Sequence, residues 1–128
     1  MDRKILIIAS ILGLLSVVLG AFGAHGLKSL ISDEAIQTFE TGVRYQMYHA
    51  LLLLFVGGSK KVASKFKTAI FYLVLAGIVF FSGSIYGLAT NSLSAFDFKT
   101  IAFITPIGGL LLIMAWVLIF VNFIKYRP

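Results

Sequence analysis

Residues 5–26 read ILIIASILGLLSVVLGAFGAHG, an apolar run without aspartate, glutamate, lysine or arginine. A bilayer core about 30 Å thick needs about 20 helical residues at about 1.5 Å each, and this run meets that length. Such an apolar surface is stable in lipid and costs free energy in water. The stretch therefore predicts a membrane-spanning helix, which indicates that the chain is an integral membrane protein.

The composition of the whole chain indicates a membrane protein. Of its 128 residues, 59% are hydrophobic and 12% are charged, whereas soluble domains carry about 25% charged residues. Cysteine is absent, which excludes disulfides, thiolate metal sites and cysteine nucleophiles. The formal charge of +6 is divided among short basic clusters between apolar runs. That pattern is typical of membrane topology signals, so no nucleic-acid partner is predicted.

Three more uncharged runs follow, at residues 45–59, 68–96 and 100–124. The run from residue 45 is too short to cross a bilayer alone, but Ile36, Phe39 and Val43 precede it at helical spacing. We therefore expect a long second helix that is amphipathic at first and enters the membrane near residue 42. The prediction is one all-α integral membrane domain, with four transmembrane helices in an antiparallel bundle. The predicted helices cover residues 4–25, 33–59, 67–91 and 100–125 of the domain 1–128.

Lysine and arginine are distributed unequally between the two sides of this predicted bundle. Eight of the eleven flank the start of the first helix, the connection after the second and the end of the fourth. The other three are Lys28, Arg44 and Lys99. Because cytoplasmic loops are enriched in lysine and arginine, both termini are predicted to be cytoplasmic, in a multi-pass protein of the cell (inner) membrane.

Small and polar residues of all four helices are expected at one level of the membrane. Counting ~1.5 Å per residue from the cytoplasmic ends puts Gly23 at ~27 Å, Arg44 at ~24 Å and Ser82 at ~22 Å. Thr105 falls at ~30 Å by the same count. We therefore predict a polar cluster, with a ligand-binding role, in the half of the bilayer away from the cytoplasm (the outer half). Its predicted members are His25, Glu40, Arg44, Tyr45, Gln46, His49, Ser82, Ser84, Tyr86 and Thr105.

Small residues near the same level predict close helix packing. Lipid removes most of the hydrophobic force between membrane helices, so contacts between small residues take its place. Gly20 lies on a small-residue stripe of the first helix, and Gly83 and Gly87 form a GxxxG pattern on the third. Either these glycines only allow helices to approach, or their exposed carbonyls line the polar pocket. The residues assigned to close packing are Gly20, Gly23, Gly26, Gly83, Gly87, Pro106, Gly108 and Gly109.

Close helix packing does not explain why Arg44, a charged residue, lies within the predicted membrane region. An unpaired charge one turn inside the boundary costs ~2.5 kcal/mol or more, so its guanidinium is expected to be paired inside the protein. Glu40, four residues earlier, and the last carbonyls of the first helix are the expected partners. Two alternatives are open: a snorkelling arginine at the interface, or a site for an anionic headgroup or carboxylate.

The two histidines raise the question of a haem site, which their heights disfavour. His25 falls at ~30 Å and His49 at ~16 Å, so one iron could not bind both. His49 is expected to be a hydrogen-bonded structural histidine, with a lone-ligand or proton-relay role as the alternative, and His25 is expected to cap a helix end. No metal site and no cofactor are predicted. No catalytic residue is assigned either, because serine–histidine–acid and HExxH patterns are missing from the sequence.

Four blocks of the sequence together resemble a known family of small four-helix membrane proteins. They are GAFGAHGL from residue 20, TGVRYQMYHALLLL from 41, FFSGSIYG from 80 and ITPIGGLLLIMAW from 104. The family, domain of unknown function four-twenty-three, is an inner-membrane family with a relative in animal mitochondria. The resemblance implies location and fold more than activity, because the family has no established biochemical function. Its signature positions include most members of the predicted polar cluster.

A non-enzymatic accessory, assembly or lipid-binding role is the function predicted for the chain. The expected partners are the lipid bilayer, a bound lipid or quinone, and a homo-oligomer or larger membrane complex. One alternative is a transporter or channel for a small solute, which would need an oligomer because four helices leave little room for a pore. The other is a quinone- or haem-associated redox accessory protein. A bound lipid or quinone would favour the first function, and a continuous water path the transporter.

Overall fold

The computed structural model describes residues 1–128 and is all-α. Its long helices are α1 (Asp2–His25), α2 (Asp33–Gly58), α3 (Ser64–Ala89) and α4 (Ile104–Lys125). Two short 3-10 turns, Asn91–Leu93 and Phe98–Ile101, lie between α3 and α4. The four helices account for most of the chain, and short connections join them.

The structure differs from the predicted helix bounds mainly before α4. Residue 100 is the predicted start, whereas the helix begins at Ile104. The reason is local hydrogen bonding around Asp97, whose carboxylate accepts from the backbone N–H of Lys99 at 3.1 Å and whose carbonyl accepts from the hydroxyl of Thr100 at 2.8 Å. Such side-chain to backbone bonds favour a turn over a continuous helix.

Three of the helices, α1, α3 and α4, are long and apolar enough to cross a membrane. The second helix is not among them, because its first half carries Asp33, Glu34, Glu40 and Arg44 and its remaining part still contains polar residues such as Gln46 and His49. Ser32 caps this polar half by accepting a hydrogen bond from the backbone N–H of Ala35 at 3.1 Å, and acidic residues in a first turn stabilise a helix start. A membrane crossing by α2 therefore stays a prediction.

Helices α2 and α3 form the centre of the fold. The first helix packs mainly against α2, and the fourth mainly against α3. One apolar core joins all four helices through residues such as Ile5, Leu53, Phe71 and Ala115. The outward faces of α1 and α4 expose large apolar side chains, including Val17 and Phe120. That pattern is expected of a surface that lies in lipid.

Glycines allow close helix contacts. A methyl group on Gly108 would lie 2.3 Å from the backbone nitrogen of Phe81, and one on Gly77 would lie 2.6 Å from Leu112. Helices α3 and α4 therefore meet backbone to backbone. Gly23 and Gly87 are also close to a neighbour, each beside an aromatic ring within 3 Å of the added carbon. Gly77 was not in the predicted close-packing set, because no small-residue pattern surrounds it.

Several other glycines predicted to pack closely have more room. Gly83 has no atom within 4 Å of an added carbon, so the GxxxG pattern of α3 is not a helix interface. The carbons added at Gly20 and Gly109 would make ordinary contacts at 3.5 and 3.6 Å. Gly26 is close only to its own helix end, at Phe22. The sequence pattern does not determine how each helix is rotated about its axis, and this rotation decides which glycines face a neighbour.

Pro106 is also not a close-packing residue. It is exposed in the first turn of α4, which begins at Ile104. The N–H groups of a first turn have no partner within the helix, so proline is tolerated there. Pro106 therefore marks the start of α4.

Candidate functional site

Gln46 links three helices in the predicted outer half. Its side chain is buried at 4% exposure. The amide nitrogen donates to the carbonyl of Leu12 in α1 at 2.9 Å, and the amide oxygen accepts from the hydroxyl of Tyr86 in α3 at 2.6 Å. Ser16 donates to the same Leu12 carbonyl at 2.8 Å. Hydrogen bonds between helices contribute ~0.6–2 kcal/mol each in membranes, so this group stabilises the helix arrangement.

Ser82 makes a second link between α2 and α3. Its hydroxyl is fully buried and donates to the carbonyl of Gly42 at 2.8 Å. Gly42 allows this approach, because a methyl group there would lie 2.8 Å from the ring of Tyr86. The sequence prediction included Ser82 and Tyr86 but not Gly42, which stands alone in a polar stretch of α2.

Both ring nitrogens of His49 are hydrogen-bonded. Nδ1 lies 2.7 Å from the carbonyl of Tyr45, and Nε2 accepts from the indole N–H of Trp116 in α4 at 3.2 Å. A carbonyl can only accept, so we assign the ring proton to Nδ1 and a neutral imidazole to this arrangement. With both nitrogens engaged, His49 links α2 to α4 and has no free nitrogen for an iron. Trp116 was absent from the predicted cluster.

A smaller hydroxyl pair lies between α3 and α4. The hydroxyls of Ser84 and Thr105 hydrogen-bond to each other, and both side chains are partly buried. The outer-half polar residues thus form separate linking groups: Gln46 with Tyr86, Ser82 with Gly42, His49 with Trp116, and Ser84 with Thr105. Each group joins two or three helices. Six of the ten predicted cluster members therefore take part in helix-linking hydrogen bonds: Gln46, His49, Ser82, Ser84, Tyr86 and Thr105.

Arg44 is not enclosed in the protein, contrary to expectation. Its side chain is 53% exposed. Nη2 donates to the hydroxyl of Thr41 at 3.1 Å, and Nη1 lies 4.0 Å from the carboxylate of Glu40. Glu40 is the predicted partner, but the last carbonyls of α1 make no contact with the guanidinium. The buried stripe of α2 includes Gly42 and Gln46, and residue 44 lies ~200° around the helix from each.

His25 and Tyr45 also lie outside the hydrogen-bonded groups. His25 is the exposed last residue of α1, and its side chain makes no hydrogen bond. The residue that caps this end is Gly26, whose N–H donates to the carbonyl of Phe22 at 2.7 Å. Tyr45 is half-exposed and contributes its carbonyl to His49, while its ring packs against Phe81 at 5.1 Å between centroids.

An open cleft of ≈ 420 Å³ lies where α1 ends and α2 begins. Glu40 belongs to its lining, with acidic, basic and apolar neighbours. The lining residues are Gly23, Ala24, Lys28, Asp33, Ile36, Gln37 and Glu40. The cleft is separate from the hydrogen bonds of Gln46 and His49.

Two polar residues at the other end of the bundle were not predicted as site residues. Lys67 is buried at 5% exposure, and its ammonium lies 3.1 Å from the carboxylate of Asp2. Asn122 is buried in α4, accepts from the backbone N–H of Ala63 at 3.0 Å and donates to the carbonyl of Lys61 at 3.0 Å. Lys67 stands between two apolar runs, where a lysine is read as a signal of membrane topology. The sequence therefore gives no sign that its side chain is buried. A lone asparagine near the end of an apolar helix was the available signal for Asn122.

Comparison with known proteins relates the chain to membrane proteins. The family model described as "Protein of unknown function (DUF423)" matches residues 19–109. The chain is 43% identical to the UPF0382 membrane protein YwdK of Bacillus subtilis, over 97% of this chain and 98% of that one. It is 37% identical to the UPF0382 inner membrane protein YgdD of Escherichia coli, over 98% and 93% of the two chains. No solved structure matches. The family match includes Gln46, His49, Ser82 and Ser84, but not their partners Leu12 and Trp116.

Proposed function

We propose that this chain, which belongs to the DUF423 family of proteins of unknown function, is a non-enzymatic accessory protein of the cell (inner) membrane. Its role is to bind lipid or a larger membrane complex through its surface. The family match and the full-length similarity to membrane proteins support the membrane location. The unequal distribution of basic residues supports an orientation with both termini in the cytoplasm.

The proposed topology is four antiparallel crossings, α2 included. Contacts between α1 and α2 support it, because Ile5 near the start of α1 lies beside Gly57 at the end of α2. Gly23, near the end of α1, lies beside Phe39 in the first half of α2. The position of α2 at the centre of the fold also supports its crossing, since neighbouring helices shield it from lipid.

The absence of cysteine allows a direct test of this topology. Lys61→Cys, between α2 and α3, and Ser94→Cys, between α3 and α4, introduce one thiol each. In intact cells, an impermeant maleimide should label Ser94→Cys and should label Lys61→Cys only after the membrane is opened. Equal labelling of both variants from outside would contradict the proposed crossings.

One observation carries the accessory role: the buried polar side chains of the outer half are hydrogen-bonded to the protein itself. Gln46, Ser82 and His49 each have protein partners on a neighbouring helix. A site that binds solute or substrate keeps polar groups available for it, whereas groups bonded to each other stabilise packing. Binding therefore takes place on the lipid-facing surfaces and at the ends of the helices.

The experiment combines native mass spectrometry with flux measurements on the purified protein. Wild-type protein in mild detergent should retain lipid or a partner protein in stoichiometric amount. Vesicles that contain it should stay as tight to ions and small solutes as empty vesicles. Gln46→Leu should lower the melting temperature, while the folded fraction retains the same lipid or partner.

Two results would contradict the accessory role. The first is a saturable solute flux that wild-type protein supports and Gln46→Leu abolishes, which would indicate a transporter. The second is wild-type protein that retains neither lipid nor partner under conditions that preserve its melting temperature. Gly83→Ala, at an open surface position, serves as the control variant for handling and folding.

A further inference from the structure

A cleft with five cationic side chains lies at the predicted cytoplasmic end, between the α2–α3 connection and the end of α4. Its volume is ≈ 410 Å³. We call it the basic cleft. Its lining contains no carboxylate and consists of Lys60, Lys61, Ala63, Lys65, Phe66, Asn122, Lys125, Tyr126 and Arg127.

None of the five cations has an acidic partner in the protein. The ion pairs of the structure are Arg44 with Glu40 and Lys67 with Asp2, and both lie outside the basic cleft. Like charges around one concave surface repel each other and together produce a positive potential that attracts anions. The charge of the basic cleft therefore favours an anionic ligand.

The wall of the basic cleft is held in place by a buried side chain. Asn122 bonds to the backbone of both Ala63 and Lys61 at 3.0 Å. These bonds fix the connection after α2 against α4, so the lysines of the connection and the cations at the end of α4 share one surface. A surface ordered before binding loses less entropy when the ligand arrives. Asn122 thus acts as a positioning residue for the basic cleft.

An apolar groove adjoins the basic cleft, and it favours an anionic ligand that also carries an apolar chain. It has a volume of ≈ 490 Å³, and Lys60 and Lys61 line both the groove and the basic cleft. Its other lining includes Leu54 and Phe55 of α2, which lie toward the apolar part of that helix. The ring of Phe55 is 6.3 Å from that of Phe123 in α4. A cationic site continuous with an apolar groove fits a molecule with an anionic head and an apolar chain.

We propose that the basic cleft binds the phosphate headgroup of an anionic phospholipid, with the start of an acyl chain in the groove beside Phe55. The inference rests on the proposed binding function and names its ligand class. Basic pockets between helices on the cytoplasmic side are suited to anionic headgroups. Free phosphate shares the headgroup chemistry but makes no use of the apolar groove.

The test measures lipid binding by native mass spectrometry of the detergent-solubilised full chain. The probes are phosphatidylglycerol, phosphatidylcholine and inorganic phosphate. The test variant Lys125→Gln/Arg127→Gln removes two cations of the basic cleft. The matched control, Arg3→Gln/Lys4→Gln, removes the same residue types from the predicted same side, outside the basic cleft. Melting temperatures are measured for both.

We expect the test variant to bind phosphatidylglycerol about tenfold more weakly than wild type, and the control to remain within about twofold. Phosphatidylcholine should bind weakly to all three proteins. Asn122→Ala should also weaken phosphatidylglycerol binding although every cation is retained, because the wall of the basic cleft loses its anchor. Inorganic phosphate at the same concentration should not compete.

Three results would overturn the lipid site. Equal loss in the test and control variants would indicate general surface attraction. Equal binding of phosphatidylcholine would remove the anionic requirement, and full competition by inorganic phosphate would indicate a phosphate site without a lipid chain. In each of these cases, the proposed accessory function would still hold if the wild-type protein retained a neutral lipid or a protein partner. Loss of every retained lipid and partner in the wild-type protein would contradict that function itself.

Discussion

The buried polar groups of the predicted outer half and the cations of the basic cleft differ in what they bond to. In the predicted outer half, both ends of the Gln46 amide and both ring nitrogens of His49 have protein partners. At the predicted cytoplasmic end, cations such as Lys125 and Arg127 share one cleft without an acidic partner. Groups of the first kind stabilise the helix arrangement, whereas groups of the second kind are available to a ligand. Polarity alone therefore does not locate the binding surface.

The largest expected effect is on the packing of the outer half. Gly108→Leu would place a branched side chain where a single methyl group already lies 2.3 Å from the backbone of Phe81. Because backbone cannot move aside as a side chain does, α3 and α4 must separate, at a cost of about 3 kcal/mol or more. We expect a fall in melting temperature of about 10 °C or more in detergent.

Gly83→Leu is the matched control for this prediction, because it adds the same side chain at an open position of α3. Its melting temperature should stay within about 2 °C of wild type. If Gly108→Leu melted like Gly83→Leu, α3 and α4 would not be in close backbone contact at Gly108. The outer half would then have space for a ligand, which would break the contrast between the two ends.

The next effect concerns Gln46. Gln46→Leu leaves the hydroxyl of Tyr86 without its acceptor and the Leu12 carbonyl without one donor, and a buried polar group without a partner costs ~1–3 kcal/mol. We expect a decrease in melting temperature of about 5 °C. The control Gln37→Leu makes the same change on an exposed face of the same helix and should have little effect. Equal melting of both variants would mean that the three-helix link contributes nothing to stability.

The sequence predicts the level of each residue along its helix better than it predicts how the helix is rotated about its axis. The rotation decides which side chains enter the site. Counting residues from the helix ends grouped Gln46, Ser82 and Tyr86 at one level, and these side chains contact one another or a shared neighbour. The same count grouped Arg44 with them, yet its side chain points to the opposite face of α2. Height follows from the ~1.5 Å rise per residue, whereas rotation is set by tertiary packing.

Rotation can in part be recovered from residue spacing. The buried positions 39, 42, 46, 49, 53 and 56 of α2 alternate in steps of three and four, which is the pattern of one helix face. That pattern excludes Arg44 and Tyr45 from the interior and includes Gly42. The polar residues on this stripe weaken its hydrophobic signal. Lys67 and Asn122 were missed for another reason: tertiary contacts with Asp2 and with the backbone at Lys61 and Ala63 bury them.

A smaller effect is expected at the predicted cytoplasmic end. Asn122→Leu removes two hydrogen bonds to the α2–α3 connection but keeps a side chain of similar size, so the cost is ~1–2 kcal/mol. Hydrogen–deuterium exchange at the backbone N–H of Ala63 should accelerate, because that group loses its acceptor. Exchange around Gln46 should be unchanged. Parallel acceleration in both regions would mean that the two ends of the bundle unfold together and are not independent.

The smallest expected effect is at Arg44. Its contacts are an exposed ion pair with Glu40 at 4.0 Å and one hydrogen bond to Thr41 within the same helix. Exposed pairs of this kind contribute about 0.3–0.5 kcal/mol. Arg44→Gln should therefore change the melting temperature by less than about 2 °C, as should Lys28→Gln. A double-mutant cycle with Glu40→Gln should give a coupling that disappears in high salt, because exposed charges are screened. If Arg44→Gln instead destabilised the protein as much as Gln46→Leu, the guanidinium would be paired in the membrane interior, as its position in the sequence first indicated. The outer half would then contain an enclosed charge, and an anionic ligand would have a site there as well.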